Sequence, residues 1–546
     1  MSAPTRSPAL RTTAATLAAV LLCAPYGLLA GWMWQTGRRP SLAAFALTVA
    51  LTWILIAGIA RNWRRFLLWQ FPLFLISAAF ATYTLSYGNT PGYFLAAVLA
   101  TSSREEYLGF FSIWYGQRLL LATLLLAALY LWAAWHATAA PISAKGPTRL
   151  RTSVLTGLAA LGLFAALHPD TLIDGAAVDP MVGSILFAAG PLHETRVALS
   201  GKNIKKTPYG ASRQGSEEVH ILVIGESGRR DSWSLYGYSR ATTPYLDSIK
   251  GQLTLFSHAV SDANMTAYAV PIMLTGMAPE RYDLAAVRGN IIDLAKEGGY
   301  STSWLTNQDV GIAALVGVAA QKTVYSNQLT PFFGGPGNLD GSMLPAIKAE
   351  MQRGGAPRFI AIHAMGSHWE YYLRYPPDFQ RFGSAKGLSF ISAFASRPDQ
   401  KVVDAYDNSV LYSDWFLGQV IESARVLKVP ATVTYVADHG EDLYSLDGSS
   451  GHGFPTYTPH QFNIPAFVWV NDAYRQSHPD KIAALTANAG KPIRTHDVFY
   501  ALADLMGISW PGAAPRRSFS SAEFVPDGDD RVLAGGNLVA ARIAGP

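Results

Sequence analysis

The first third of the chain is almost continuously apolar, and the remainder alternates short apolar runs with helical patterns. Five apolar stretches, at 13–34, 41–60, 67–86, 119–135 and 154–167, approach the ~20 residues that one membrane-spanning helix needs. The run at 13–34 is too long for a signal peptide core, and four more follow it, so it reads as a first span. Arg6 and Arg11 precede span one; Arg61, Arg64 and Arg65 separate spans two and three; Lys145, Arg149 and Arg151 separate spans four and five. The positive-inside rule puts those groups in the cytoplasm, with Arg38 and Arg39 standing against it. An odd number of spans then delivers everything after 167 to the periplasm. Trp32, Trp34, Trp114, Trp132 and Trp135 fall near span ends, where interfacial aromatic anchors sit.

A connector over 168–217 follows. Its short apolar segment, 181–189, reads either as an interfacial helix lying on the membrane or as a helix packed on the soluble domain. Lys202, Lys205, Lys206 and Arg213 would suit an anionic surface as a basic tether, although most such runs are simply solvated. From Val219 the pattern changes. Runs at 219–224, 302–305, 359–362, 431–436 and 466–470 read as strands, and helical patterns at 284–297, 406–427 and 495–506 separate them. Alternating strands and helices predict an α/β fold with a mostly parallel sheet covered on both faces. The predicted organisation is a five-helix transmembrane domain over 1–167, a periplasmic connector over 168–217 and a periplasmic catalytic domain over 218–546. The tail after Gly512, rich in Pro, Gly and Asp, is expected to wrap the surface.

Composition changes this picture little. The 546 residues are 15% charged, with mean hydropathy +0.16. Cys23 is the single cysteine, so no intrachain disulfide can form. The net charge of +5 comes with no basic helix or aromatic–basic cluster, which argues against a nucleic-acid partner.

The candidate chemistry gathers at strand ends, where open α/β sheets bind ligands. Glu226 ends the run from His220, and a carboxylate directly after a buried strand is costly unless paired, capping a helix or bound to metal. The surrounding Gly225-Glu226-Ser227-Gly228-Arg229 resembles a nucleophile elbow but lacks its second glycine, because Arg229 stands there. Asp438 and His439 follow the run at 431–436, and both can reach one ion; the alternative is an N-capping Asp beside a surface His. His452 follows a Gly/Ser-rich loop that could fold it back over the site. Of His363 and His368, the first reads as a hydrogen-bonded core histidine and the second as a residue of the exposed rim. Thr266 reads as a helix start, where a Thr is usually a cap but where free N–H groups also favour a phosphate. Thr101 and Glu105, in the loop between spans three and four, would share a helical face, or form a solvated charged turn.

Taken in order, these segments resemble the bacterial inner-membrane phosphoethanolamine transferases, whose periplasmic domain is of the alkaline phosphatase–sulfatase type. The segments are Gly225-Glu226-Ser227, Leu235-Tyr236-Gly237-Tyr238-Ser239-Arg240-Ala241-Thr242-Thr243-Pro244, Thr266-Ala267-Tyr268-Ala269-Val270-Pro271, Gly366-Ser367-His368, Arg374-Tyr375-Pro376, Asp438-His439-Gly440-Glu441 and His452-Gly453. The resemblance implies that Glu226, Thr266, Asp438 and His439 hold one tight zinc ion, that Thr266 is the nucleophile, and that His368 and His452 sit at the phosphate or at a second zinc. It also implies that Asn307 contacts the donor head group and that Thr101 and Glu105 touch the lipid substrate. The donor would be phosphatidylethanolamine and the acceptor lipopolysaccharide core, lipid A or a periplasmic glycan. Departures from the family's pattern are the absence of disulfides, with Asp262 and Ile272 at the flanking positions, Gly311 near the place of a lysine, and Ala97 in place of an asparagine. Three rivals stand beside this expectation: a phosphoglycerol transferase, a phosphate-ester hydrolase or sulfatase on the same fold, and a catalytically dead scaffold. The sulfatase rival lacks its Cys/Ser-x-Pro-x-Arg setting at Thr266.

Overall fold

Every residue of Val219–Gly225 is buried, as a near-continuous apolar run requires when both faces of a parallel sheet are covered. In the computed structural model this strand, β1, is the centre of a seven-stranded sheet. The others are β2 (Leu253–Leu255), β3 (Ser301–Thr306), β4 (Lys322–Tyr325), β5 (Arg358–His363), β6 (Ala431–Ala437) and β7 (Ala466–Val470), in the spatial order β2-β7-β6-β1-β5-β3-β4. Strands β6, β1, β5, β3 and β4 pair in parallel; β7 runs antiparallel to both its neighbours. The structure describes residues 7–35, 39–60, 62–87, 114–141, 179–189, 206–283, 289–308, 318–326, 339–368, 371–384, 399–446, 449–453 and 457–540. Spans at 154–167, Thr101, Glu105, Ala97, Gly311, Lys202 and Lys205 therefore lie outside the described residues.

The chain divides into two compact units, the boundary falling between Glu194 and Thr195, inside the predicted connector. In the first unit, four of the five predicted spans are helical: α1 (Pro8–Gln35), α2 (Arg39–Ala60), the pair α3 (Trp63–Trp69) and α4 (Phe71–Tyr87), and α5 (Trp114–His136). The expected count of five is not reproduced. Among the described residues one helix, Ala9–Gln35, is long and apolar enough to cross a membrane, and α3 with α4 makes a second if the pair is one span. That pair is bent by 46°: α3 closes at Gln70, whose N–H turns back to the Phe66 and Leu67 carbonyls, and Pro72 in the first turn of α4 has no N–H to continue the α3 ladder. The Tyr130 ring stacks on Phe74 at 4.6 Å and its hydroxyl donates to the Leu67 carbonyl at 2.8 Å, pinning α5 to the bend. Leu121, Leu124, Leu125, Trp132 and Trp135 of α5 are exposed, a large apolar face of the kind that marks a lipid or protein contact. The connector's apolar segment forms α6 (Pro180–Phe187), capped by Asp179, which accepts from Val182 N–H at 2.9 Å, and it packs against α4.

The second unit carries the sheet. Lys206 and Arg213, read as parts of a basic tether, are instead engaged with this unit. Lys206 Nζ lies 2.6 Å from Asp293. Arg213 lies 3.2 Å from the Glu218 carboxylate and over the Tyr300 ring at 4.9 Å. The predicted helices appear as α8 (Ile291–Glu297), α9 (Gln400–Arg425) and α10 (Asp497–Leu505), with α7 (Thr266–Thr275) before them. Asn290 caps α8 through a reciprocal capping box with Asp293. The tail does more than wrap the surface. Its hairpin, Arg531–Ala534 paired with Asn537–Ala540, buries Val532 and Ala534 against Phe462.

Candidate active site

Strand register brings the two acids together. Gly225 of β1 pairs with Ala437 of β6, so the residues that follow, Glu226 and Asp438, emerge side by side at the carboxyl edge of the sheet. Both side chains are buried, as is His439. The turn after Glu226 is sharp: Ser227 has φ 55°, a left-handed conformation that costs ~1–3 kcal/mol unless its surroundings impose it. Here they do. Asp438 Oδ1 accepts from Ser227 N–H at 3.1 Å, and the Tyr406 hydroxyl donates to the Ser227 carbonyl at 2.5 Å. The elbow-like sequence thus makes an elbow-like turn, but the residue it presents is the carboxylate of Glu226.

Thr266 opens α7. Its hydroxyl donates toward Glu226, 3.0 Å from Oε2 and 3.2 Å from Oε1, and lies 3.2 Å from His439 Nε2. His439 Nε2 is in turn 3.2 Å from Glu226 Oε1 and 3.5 Å from Asp438 Oδ2. The His439 ring is oriented from behind by Nδ1, 2.8 Å from the Gly440 carbonyl, which leaves Nε2 to face the group. Among the described residues Asp438 Oδ2 has no hydrogen-bond partner although it is buried. The antiparallel strands Asp442–Leu446 and Ser449–Gly451 fold His452 back until its ring centroid is 4.1 Å from that of His439. Glu441 accepts from His452 Nδ1 at 3.0 Å. Glu226, His439 and His452 offer ligand atoms within 4.8 Å of one another. His368 lies at the rim, its ring centroid 6.3 Å from that of His452.

Two carboxylates and an imidazole sealed from water are short of positive charge. Burial, and then the Glu226 charge, push the Asp438 carboxyl up. Burial opposes a charged His439, but the Asp438 and Glu226 carboxylates outweigh it and push the imidazole up to about 10. Burial likewise opposes ionisation of Glu226, yet His439, and then His368 and His452, hold its carboxyl well below the usual range. A pocket that retains protons to neutralise itself, and that orphans a carboxylate oxygen, fits a divalent cation.

The remaining candidates stand elsewhere. Asn307 is buried, its amide donating to Asp340 Oδ1 at 2.9 Å. The residue that reaches the centre from this segment is Gln308, which donates to Glu226 Oε2 at 3.0 Å and to the Ala364 carbonyl at 3.0 Å. His363 is buried edge-on to Trp304 and, contrary to expectation, neither ring nitrogen has a hydrogen-bond partner among the described residues. Burial pushes its pKa down to about 4, keeping it neutral. Gln308 and Asp340 were missed. Asp340 accepts from the Met365 and Gly366 N–H groups at 2.8 and 2.9 Å, which fixes the turn leading to His368. No pattern marks Asp340, whereas Gln308, two residues past a strand end, could have been flagged beside Asn307.

That turn also explains Gly366. Its φ is 49°, and a Cβ there would lie 2.7 Å from the Glu226 carbonyl oxygen. Gly366→Ala is expected to destabilise the second unit by about 2 kcal/mol or more and to displace Glu226. Thermal denaturation measures it, and an unchanged Tm would contradict this account of the turn.

The sulfatase family model matches residues 219–508. Phosphoethanolamine transferase EptC of Escherichia coli O18:K1:H7 (strain RS218 / NMEC) is 26% identical over 314 residues, 56% of this chain and 53% of its own length. The chain thus spans about half the length of the curated relatives it matches. Among solved structures, the soluble domain of lipooligosaccharide phosphoethanolamine transferase A from Neisseria meningitidis is 27% identical. It covers 58% of this chain and 97% of that one, with a TM-score of 0.53. The integral membrane protein lipooligosaccharide phosphoethanolamine transferase A (EptA) of that organism has the same fold, with a TM-score of 0.68 over 94% of this chain and 98% of that one, at 23% identity.

Proposed function

The chain belongs to the sulfatase family, and from that premise we propose that it is a zinc-dependent transferase that moves phosphoethanolamine from phosphatidylethanolamine to an envelope glycolipid. The observation that carries this reading is a threonine hydroxyl at a helix start, 3.0 Å from one carboxylate oxygen and 3.2 Å from an imidazole nitrogen. Glu226, Thr266, Asp438 and His439 would hold one zinc. Their oxygen and nitrogen donors, in contacts of 3.0 to 3.5 Å, are of the kinds that zinc takes. His368 and His452 would stand at the phosphate; holding a second, looser zinc is the alternative to that role.

When bound, zinc supplies the charge that makes a weakly acidic hydroxyl ionisable and that neutralises phosphoryl oxygens. The residues do the rest. Thr266 Oγ is directed at Glu226, so the proton it loses on attack has a carboxylate acceptor. The Oγ–phosphorus bond forms, the bond from phosphorus to the diacylglycerol oxygen breaks, and an imidazole of His368 or His452 protonates the leaving oxygen. The N-terminal N–H groups of α7 face the phosphoryl group. An acceptor hydroxyl then attacks the phosphoethanolamine-threonine, giving its proton to the same imidazole; the Oγ–phosphorus bond breaks and Glu226 returns the proton to Thr266 Oγ. His452 is held for this task by Glu441. The reading makes the apolar first unit a multi-pass inner-membrane anchor, with the catalytic unit periplasmic and Thr101 and Glu105 assigned to the lipid substrate. Such an anchor confines the catalytic unit to the plane in which its lipid donor lies. Asn307, engaged by Asp340, would shape the head-group pocket rather than extend into it.

The test is incubation of the full-length protein in detergent with an equimolar mixture of head-group-labelled phosphatidylethanolamine and phosphatidylglycerol, followed by peptide mass spectrometry. The expected result is one phosphoethanolamine on Thr266. A phosphoglycerol adduct, or free phosphoethanolamine without an adduct, would refute it.

A further inference from the structure

Local bonds in the loop before Thr266 are few: the Ser261 hydroxyl bonds the carbonyl and the N–H of Ala263, and Met265 makes no side-chain cap. The restraints come from much later in the sequence. Ala259–Val260 pairs in parallel with Ile493–Arg494, and two residues on Asp262 is fully buried. Its Oδ1 accepts from Arg494 Nε at 2.7 Å. Its Oδ2 accepts from the Thr495 hydroxyl at 2.8 Å, from His496 N–H at 2.8 Å and from His496 Nδ1 at 3.0 Å. Its backbone is also held, the N–H by Thr495 Oγ1 at 3.0 Å and the carbonyl by Leu533 N–H at 2.8 Å.

Asn264 continues the clasp. Its N–H donates to the Leu533 carbonyl at 3.1 Å. Its Oδ1 accepts from Gly535 N–H at 3.0 Å and its Nδ2 donates to Gln461 at 2.8 Å. The Gln461 carbonyl takes the Gly440 N–H at 2.8 Å, and the Ser261 hydroxyl bonds the Asp438 carbonyl. One network therefore joins the loop that carries Thr266 to the loop that carries Asp438 and His439. Arg494 closes it by donating to the carbonyls of Asp529 and Arg531, at the start of the C-terminal hairpin. The hairpin lies beyond the 219–508 span of the family match.

We infer that Asp262, clamped between Arg494 and His496 and backed by Asn264 on the C-terminal hairpin, is a positioning residue that sets the distance from the Thr266 hydroxyl to Glu226 and His439. An ion cluster is a demanding way to fix a loop. A buried carboxylate is tolerated only with its partners in place, so the loop has one low-energy placement. The physical cost of misplacement is in chemistry rather than binding, because a displacement near 1 Å of a reacting group costs ~100-fold in rate. The inference rests on Thr266 being the nucleophile.

Three variants of the full-length protein in detergent decide it: Asp262→Asn, which keeps volume but removes the charge; Asn264→Asp, which removes the amide donor to Gln461; and Arg494→Lys. The readouts are the rate of Thr266 labelling by head-group-labelled phosphatidylethanolamine, the KM for that lipid, bound zinc per chain and Tm. Expected are labelling rates down about 10–100-fold, KM within twofold of the parent, and zinc retained. Adding Arg494→Gln to Asp262→Asn, which removes both charges, is expected to restore part of the loss. If Asp262→Asn fails to fold, Asn264→Asp and Arg494→Lys carry the same comparison. Labelling at the parental rate in every folded variant, with only Tm lowered, would overturn the inference and leave the cluster a structural brace. No adduct on the parent protein would overturn the assignment of the nucleophile, and this inference with it.

Discussion

Thr266→Ala is expected to abolish transfer, with at least a ~10³-fold loss in kcat and no covalent head-group adduct at this position, since it removes the attacking oxygen. The protein should remain folded and keep its metal. Thr266 is the first residue of α7, half-buried, and makes its contacts inward to Glu226 and His439 rather than to a helix N–H. Thr266→Ser restores the hydroxyl without the methyl group and is expected to recover a measurable fraction of activity and the adduct. The pair of variants separates chemistry from architecture, because both disturb the helix start while only one removes the oxygen. An adduct formed by Thr266→Ala at the parental rate would end the threonine mechanism, whatever the fold.

The centre was legible in the sequence to the extent that local pattern announces it. Glu226 and Asp438 each follow an apolar run whose burial on both faces forces the next polar residue to the sheet edge, and Thr266 begins a helical pattern. Their convergence follows from register, Gly225 beside Ala437, which no single run encodes. The direction of β7 and the short strand β2 were not legible, since a run of five apolar residues reads the same way up or down. The break at Gln70 does have a signal, Pro72 two residues on, which has no N–H to continue the α3 ladder. Asp262, Arg494 and His496 were invisible as a unit. More than two hundred residues separate the first from the others, and the clamp uses backbone amides and a threonine hydroxyl that carry no motif. Asp340 was invisible for the same reason: it serves the site through hydrogen bonds to Asn307, Met365 and Gly366, groups on other elements.

The second large effect concerns the cation. Stripping divalent metal with a chelator is expected to stop adduct formation and to lower the Tm, and zinc alone should reverse both. A ligand present at 100 times its Kd adds about 2.7 kcal/mol to stability, which for a domain of this size is a shift of several degrees. Glu226→Gln should reproduce the loss of activity at ordinary zinc concentrations. It keeps the side-chain volume and one carbonyl oxygen but removes the charge that faces Thr266, His439 and Gln308. Its zinc affinity is expected to fall by more than the ~10–100-fold typical of outer-shell changes. Apo stability should fall as well, because the buried imidazole of His439 holds Glu226 ionised and Gln cannot make that pair, an effect only partly offset by relieved repulsion with Asp438. A stability gap between parent and Glu226→Gln that widens when zinc is added is the pattern that identifies a site built around a cation. A gap that zinc leaves unchanged would instead mean that the cluster is neutralised by protons alone, and the proposed metal chemistry would fail.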